Sequence, residues 1–260
     1  MNENILGYNI FNGSVRSCLD SIDSEFESNS NNVASCCRWL ACLNPHSYAV
    51  AIDDSEFSAA LQNADWLVPD GVGIVWASRF LGGKISERVT GSDIFFGLHE
   101  RLNARTAFSV FFLGSTEDVL KTICCRMAKD YPSIRVAGTF SPPFKSVYSD
   151  DELDEMVREI NHASPDVLWV GMTAPKQEKW IADNLNRLDV KFAGAVGAVF
   201  DFYAGKVKRS HPVFQRLGLE WLPRLLQQPR RLWRRMFVSA PIFIWHTFKA
   251  RFATSGRSSC

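Results

Sequence analysis

The chain has 260 residues, of which 46% are hydrophobic and 22% are charged, and its formal net charge is +1. A chain of this length and composition can bury one large hydrophobic core, which excludes a protein that is disordered throughout. Its seven cysteines are an odd number and include no Cys-x-x-Cys, a pattern that indicates reduced thiols and argues against a disulfide framework or a zinc site.

Segments typical of strands and of helices alternate along most of the chain. The segment from Asp23 to Asn32 is rich in Ser, Asn and acidic residues and predicts an exposed loop. Short apolar runs predict strands at 38–43, 66–68, 109–113, 134–137, 167–171 and 191–196, and longer periodic segments predict helices at 45–63, 71–80, 115–131, 150–161 and 175–188. The predicted fold class is therefore α/β, a Rossmann-like, mainly parallel sheet with helices on both faces.

The C-terminal segment carries an excess of positive charge. From Lys206 to Arg251 there are eleven Lys and Arg residues and one acidic residue, Glu220, whereas acidic residues outnumber basic ones in the rest of the chain. Such a surface favours anionic partners, namely phosphates, nucleic acid or an acidic membrane leaflet. We predict two parts, an α/β catalytic domain at 1–210 and a basic, amphipathic helical appendage at 211–260 that associates with a membrane.

A helix that follows Pro229 would be apolar on one face. Its stripe consists of Trp233, Met236, Phe237, Ala240 and Ile244, with Arg231, Arg235 and Lys249 opposite. Such a stripe lies in a membrane interface or packs on the protein's own core. The apolar run at 237–248 is shorter than the roughly 20 residues of a membrane span, so we expect contact with a membrane from one side only, or none.

Asp70 is a candidate catalytic base. It follows the predicted strand at 66–68, and ligands of parallel α/β sheets bind outside the carboxyl ends of the strands. An aspartate at that place can accept a proton during catalysis, or it can simply cap the next helix. The chain has no Gly-x-Gly-x-x-Gly and no Gly-Lys-Ser/Thr, which disfavours a dinucleotide-dependent dehydrogenase and a P-loop protein.

Two further loop residues are candidate ligands of an anion or a sugar. Arg88, just before a helix that Ser92 or Asp93 would cap, either binds a diphosphate or pairs with Glu87. Gln177 begins a helix after a predicted buried strand, where its amide can bond a sugar hydroxyl or a base. The histidines are scattered singly and there is no Asp-x-Asp, so we expect neither a metal nor another cofactor.

Taken together and in order, the motifs at these positions resemble the WecG/TagA/CpsF family of bacterial glycosyltransferases. They run from about residue 38 to residue 235. The matching stretches are Leu43-Asn44-Pro45, Pro69-Asp70-Gly71, Glu87-Arg88-Val89-Thr90-Gly91, Phe112-Leu113-Gly114, Pro175-Lys176-Gln177-Glu178, Asp201-Phe202 with Ala204-Gly205, Lys208-Arg209, Gly218-Leu219-Glu220-Trp221-Leu222 with Arg224, and Pro229-Arg230-Arg231.

The resemblance implies transfer of a hexose from a UDP-sugar to a polyprenyl-diphosphate-linked sugar, with inversion and without a metal. It also implies a peripheral protein at the cytoplasmic face of the cell membrane. Asp70 would be the base and Arg88 a second catalytic residue. Cys42 stands where the family has a threonine. The implied substrate pocket includes Asn44, Gly114, Gln177, Asp201, Arg224, Arg231 and Arg234.

The stretch Cys42-Leu43-Asn44-Pro45-His46-Ser47 is more similar to the GumM-type members, which act in exopolysaccharide assembly. We therefore expect UDP-glucose as the donor, with transfer of N-acetylmannosamine or its uronic acid as the alternative. A non-catalytic peripheral membrane scaffold is the alternative of another class. We expect no nucleic-acid partner, because the apolar face of the tail would have no role in such a protein, and the pattern leaves a homo-oligomer open.

Overall fold

A computed structural model describes residues 2–28, 37–105, 107–207 and 233–255. A two-stranded antiparallel hairpin, β1 (Asn2–Ile5) and β2 (Tyr8–Phe11), precedes the main sheet. The main sheet contains β3 (Arg38–Leu43), β4 (Trp66–Pro69), β5 (Ser109–Gly114), β6 (Arg135–Phe140), β7 (Val167–Gly171) and β8 (Phe192–Ala195). The helices are α1 (Val15–Ser28), α2 (Pro45–Asp53), α3 (Ser55–Gln62), α4 (Val72–Leu81), α5 (Gly91–Asn103), α6 (Glu117–Asp130), α7 (Asp150–Ala163), α8 (Lys176–Asn184), α9 (Val199–Tyr203) and α10 (Ala240–Ser255).

All neighbouring strands of the main sheet run parallel, in the order β4-β3-β8-β7-β5-β6. The predicted α/β class and parallel sheet are confirmed, and each predicted strand overlaps an observed one, with the largest difference at β6, which runs three residues beyond the predicted end at Ala137. The predicted helix at 45–63 is instead two helices. It breaks at Asp54, whose side chain accepts a hydrogen bond from Phe57 N at 3.0 Å and so begins α3.

Alternate residues of the central strands enter two hydrophobic clusters, one on each face of the sheet. Phe111 and Leu113 of β5 face the cluster formed with α2, α3, α4, α7 and α8. Val110 and Phe112 face the cluster formed with α1, α5, α6 and α9. Strands buried on both faces require apolar side chains at nearly every position, which explains the continuous apolar runs in the sequence.

The predicted loop at Asp23–Asn32 is wrong for its first part, because residues up to Ser28 belong to α1. Ile22 and Phe26 are buried on one face of this helix. Asp23 is also buried, and its carboxylate accepts a hydrogen bond from Arg101 at 2.7 Å. A polar composition therefore concealed a helix whose acidic residue is paired in the tertiary structure. Residues 29–32 lie outside the described ranges.

One face of α10 packs against the α/β body at α2 and α4. Phe243 is 1% exposed, and its ring centroid lies 5.3 Å from that of Tyr48. The Tyr48 hydroxyl lies 2.8 Å from Nδ1 of His246. The stripe predicted from the sequence is a different face, and its members Trp233 and Phe237 are exposed.

This C-terminal helix is thus apolar on two faces, one that is packed and one that is open to solvent. No helix in the described part of the chain is long and apolar enough to cross a bilayer.

Candidate active site

A polar cavity of about 260 Å³ opens at the carboxyl ends of four adjacent strands. Asn44 follows β3, Asp70 follows β4, Met172 follows β7 and Val196 follows β8, and all four residues line it. These strands are neighbours in the sheet although β4 and β7 are far apart in the chain. The cavity therefore lies where the sheet rule predicts a ligand crevice.

Asp70 is held at the cavity wall by its backbone. Its N–H donates to the carbonyl of Leu43 at 2.8 Å, which extends the pairing of β3 and β4 by one residue. The next residue, Gly71, has φ +108 and occupies the N-cap position of α4. A positive φ of this kind strains residues with a Cβ. Asp70 is therefore not the N-cap residue of α4, and its half-buried side chain lines the cavity.

Asn44 has a structural task as well as a place in the cavity wall. Its Oδ1 accepts hydrogen bonds from His46 N and Ser47 N, both at 3.0 Å, while Ser47 Oγ accepts one from Asn44 N at 2.8 Å. This reciprocal cap fixes the start of α2. The Asn44 amide nitrogen takes no part in the cap.

The loop that carries Arg88 runs beside the end of β4. Val89 N donates to the Pro69 carbonyl at 3.1 Å, so Arg88 is next to a residue anchored on the strand of Asp70. The half-buried Arg88 side chain does not line the cavity, whereas Thr90 does. Thr90 is the N-cap of α5, in place of the predicted Ser92 or Asp93, and its Oγ1 donates to the Asp93 carboxylate at 2.7 Å.

Both polar atoms of the Gln177 side chain form hydrogen bonds within the protein, whereas the sequence predicts that they bind a ligand. Its Oε1 accepts a hydrogen bond from Gly197 N at 3.0 Å, and its Nε2 donates to Oε1 of Glu178 at 2.8 Å. Both side chains are buried and line the cavity. Burial raises the pKa of the Glu178 carboxyl to about 7. Glu178 was not among the predicted site residues, although it lies three residues before the apolar Ile181, a spacing that places both on one helix face.

The charges of Asp70 and Glu178 both act on the thiol of Cys42. Its half-buried thiol lines the cavity, with Sγ 4.0 Å from the Ala195 carbonyl oxygen. Burial, followed by the charges of Asp70 and Glu178, raises the pKa of this thiol well above its ordinary value. The thiol at this position is therefore protonated at neutral pH, unlike that of a cysteine nucleophile.

The C-terminal segment contributes a cation to the cavity, but not the predicted one. Arg235, in the π-helical turn at Arg235–Ser239 before α10, lines the cavity. The neighbouring Arg234 is exposed and does not. Arg224 and Arg231 lie outside the described residues, as does the Lys208-Arg209 pair. The sequence pattern predicts Arg235 only on the polar side of the helix.

Of the two remaining predicted site residues, Asp201 lines the cavity and Gly114 does not. Asp201, in the short helix α9, lines the cavity. Gly114 ends β5 and does not line it, and a Cβ added there would come within 2.6 Å of the Gly171 carbonyl oxygen. Gly114 is thus explained by the close approach of two strand ends. In the described ranges, no three Cys, His, Asp or Glu side chains are grouped so that they could ligate one metal ion.

Comparison with known proteins gives a family match over nearly the whole chain. The model of the glycosyl transferase WecG/TagA/CpsF family matches residues 3–257. A Bacillus spizizenii protein is 30% identical over 237 residues, 89% of each chain. A Bacillus subtilis protein is 30% identical over 200 residues, 76% of this chain and 74% of its own, and a Staphylococcus aureus protein is 28% identical over 247 residues, 95% and 92%.

All three of these relatives are named N-acetylglucosaminyldiphosphoundecaprenol N-acetyl-beta-D-mannosaminyltransferase. The family match extends over nearly the whole chain, and the motifs after β3, β4, β7 and β8 converge on one polar cavity. The chain therefore belongs to the glycosyl transferase WecG/TagA/CpsF family and is a glycosyltransferase.

Proposed function

We propose that this protein transfers N-acetylmannosamine from its UDP-activated form to N-acetylglucosaminyl-diphospho-undecaprenol, with inversion at the anomeric carbon. The names of the similar Bacillus and Staphylococcus proteins support this acceptor and this sugar. The observation that carries the proposal is a single cavity that both Asp70 and Arg235 line. A base and a cation are the two groups that displacement of a diphosphate by a hydroxyl requires.

In the proposed reaction, the acceptor hydroxyl attacks the anomeric carbon and gives its proton to Asp70. The bond from that carbon to the diphosphate oxygen breaks, and the electron pair leaves with UDP. In-line attack by a base-activated hydroxyl inverts the anomeric carbon, so one carboxylate is enough. Because a general base contributes about 100-fold or more to the rate, Asp70 has the largest single effect that we assign.

The leaving diphosphate gains negative charge in the transition state. Arg235 can stabilise that charge, since preorganised cations and N–H donors act strongly in a cavity that excludes water. Arg88, Arg224, Arg231 and Arg234 keep the proposed role of diphosphate ligands, either of the donor or of the lipid-linked acceptor. Asn44 lines the same cavity, and its amide nitrogen takes no part in the cap of α2.

The expected donor from the sequence, UDP-glucose, has less support than its alternative, because the three relatives bear the name of an N-acetylmannosamine transferase. The two sugars differ at C2, where one carries a hydroxyl and the other an acetamido group, as well as in configuration. One or two side chains of a pocket can decide between such groups.

We also propose that the C-terminal segment places the cavity at the inner face of the cell membrane. Trp245, Phe248 and Phe252 of α10 are exposed, and Trp76 of α4 adds a fourth exposed ring beside them. Aromatic side chains and basic residues on one surface suit a membrane interface with anionic lipids.

A donor panel on the purified full chain tests the proposal. The acceptor is N-acetylglucosaminyl diphosphate on a short prenyl chain in detergent, and the donors are UDP-N-acetylmannosamine, its uronic acid, UDP-N-acetylglucosamine and UDP-glucose. We expect the highest kcat/KM for UDP-N-acetylmannosamine. A higher kcat/KM for UDP-glucose would mean that the protein transfers glucose, as the sequence predicts, and would contradict the proposed donor. No turnover with any donor, together with tight vesicle binding, would favour a non-catalytic scaffold.

A further inference from the structure

Glu178 has a carboxyl oxygen that no residue of the described chain bonds. The side chain is 2% exposed, belongs to the third residue of α8, and lines the cavity. Its Oε1 accepts the hydrogen bond from Gln177 Nε2 at 2.8 Å, whereas Oε2 has no partner in the described ranges. Buried polar atoms are nearly always hydrogen-bonded. Oε2 is therefore suited to accept a hydrogen bond from a molecule that enters the cavity.

The orientation of the Glu178 carboxyl group is fixed by its hydrogen bond with Gln177. Gln177 bonds Oε1 with its amide nitrogen and the Gly197 N–H with its amide oxygen, at 2.8 and 3.0 Å. Gly197 follows β8, and its φ of +54 is the left-handed conformation that favours glycine. Glu178 is thus held between α8 and the loop after β8, with one oxygen committed and the other left for a ligand.

Glu178 lies on the side of the cavity where the chemistry is proposed. The charges of Asp70 and Glu178 both act on the Cys42 thiol and raise its pKa, which places Cys42 within electrostatic reach of each carboxyl group. The other charged residues that line the cavity are Asp201 of α9 and Arg235 of the C-terminal segment. Glu178 therefore shares with the proposed base a cavity wall at which the sugar reacts.

The chemistry of an acceptor oxygen also selects the sugar. A diphosphate has no hydrogen-bond donors and would be repelled by a carboxylate. A hexose has several hydroxyls, and an acetamido sugar has an N–H as well. We propose that Glu178 Oε2 binds the transferred sugar of the donor, accepting a hydrogen bond from a hydroxyl or from the acetamido N–H. This inference rests on the proposed function, and it adds a specificity-determining residue to it.

The titration of Glu178 is consistent with this role. Burial raises its pKa to about 7, so the charge on the free oxygen is only weakly stabilised by the protein. A hydrogen bond from a sugar stabilises the ionised form.

The test compares Glu178→Gln with the wild type by isothermal titration calorimetry on the full chain in detergent. The glutamine keeps an oxygen for Gln177 and replaces Oε2 with an NH₂ donor. We expect the Kd of UDP-N-acetylmannosamine to rise roughly 10-fold or more, the effect of losing a hydrogen bond to a charged group, with the Kd of UDP and Tm unchanged. Asp183→Asn, on the exposed side of the same helix, is the matched control and should change none of these values.

A series of donors that each lack one hydroxyl or the acetamido group identifies the bonded atom. The donor without the bonded group should bind the wild type more weakly than UDP-N-acetylmannosamine does. Glu178→Gln should bind these two donors equally, which is the pattern of a coupled pair. If the variant does not fold, the donor series on the wild type decides, and equal affinity for every donor overturns the inference.

Three other results would also overturn it. They are unchanged donor affinity in Glu178→Gln, an equal loss of affinity for UDP and for the UDP-sugar, and a rise in the acceptor KM alone. A wild-type protein that neither binds nor transfers any UDP-sugar contradicts the proposed function instead, so the two failures are distinguishable.

Discussion

Asp70 combines a carboxylate with a backbone that leaves it little freedom. The hydrogen bond from its N–H to the Leu43 carbonyl and the positive φ of Gly71 hold its Cα at the end of β4. We expect Asp70→Asn to lower kcat by roughly 100-fold or more, because the amide cannot take up the proton. The donor Kd and Tm should remain near those of the wild type. Steady-state kinetics at saturating donor check this prediction.

The control for Asp70→Asn is Asp53→Asn, at the exposed end of α2, which should leave kcat unchanged. Near-normal kcat in purified Asp70→Asn would exclude Asp70 as the base. A lower Tm with full activity per folded molecule would show that Asp70 is structural.

Cys42 is the residue at which the chain departs from the family motif, and its environment predicts an unreactive thiol. Burial and the charges of Asp70 and Glu178 raise its pKa, and only the thiolate is nucleophilic. We expect iodoacetamide at neutral pH to label Cys42 far more slowly than the exposed Cys125, as measured by mass spectrometry of peptides. Equal labelling rates for Cys42 and Cys125 would contradict a raised pKa of the Cys42 thiol.

His99 is buried in an aromatic cluster away from the cavity. Its Nε2 accepts a hydrogen bond from Trp169 Nε1 at 3.1 Å, and burial lowers the pKa of His99 to about 3. The folded protein therefore keeps His99 neutral, while the unfolded chain binds a proton below about pH 6.5. Stability from this residue is complete above that pH and is lost as the pH falls towards about 3.

We expect His99 to lower the free energy of unfolding by about 2 kcal/mol between about pH 7 and about pH 5. Glutamine can also accept the bond from Trp169, but it does not titrate. His99→Gln should therefore lose less stability than the wild type over this range, in urea denaturation at each pH. Equal losses in the two proteins would mean that His99 is protonated in the fold.

At the scale of elements, α10 presents two apolar faces with different tasks. Phe243 is buried against Tyr48, whereas Phe252, on the same helix, is 67% exposed. We expect Phe243→Ala to lower the free energy of unfolding by about 3–5 kcal/mol, the cost of a large cavity in a core. Phe252→Ala should leave stability nearly unchanged and weaken binding to vesicles.

Denaturant titration and vesicle sedimentation of both variants separate these roles. Equal destabilisation by the two substitutions would mean that the outer face of α10 also packs on protein. Loss of vesicle binding in neither variant would remove the support for a membrane contact through this helix.

At the scale of the whole molecule, charge is segregated along the chain. The eleven basic residues between Lys206 and Arg251 stand against an acidic remainder, and each basic residue near an anionic leaflet contributes about 1 kcal/mol. We expect the wild type to bind vesicles that contain phosphatidylglycerol and to bind neutral phosphatidylcholine vesicles weakly. Because salt screens surface charge, binding to the anionic vesicles should fall as NaCl is raised. Equal binding to both kinds of vesicle, without a salt effect, would contradict this prediction.

Local sequence patterns were sufficient to predict secondary structure wherever it depends mainly on residues nearby in the chain. The parallel sheet follows from apolar runs such as Val167–Gly171, and the place of Asp70 follows from a short strand and a glycine turn. The C-terminal part of α1, from Asp23 to Ser28, was predicted as a loop because its stability comes from partners distant in sequence, such as Arg101 for Asp23. Composition alone cannot show such pairing.

The sequence by itself determined the fold class, the family and the basic character of the tail, and it predicted a ligand crevice at the strand ends near Asn44, Asp70, Gln177 and Asp201. Only the tertiary structure decided which residues share the cavity wall, because that depends on how distant elements pack. It placed Arg235 there rather than the exposed Arg234, since successive residues of a helical turn point in different directions. It also brought Glu178 from the start of α8 into a buried wall, with one oxygen bonded by Gln177 and the other facing the ligand site that we propose.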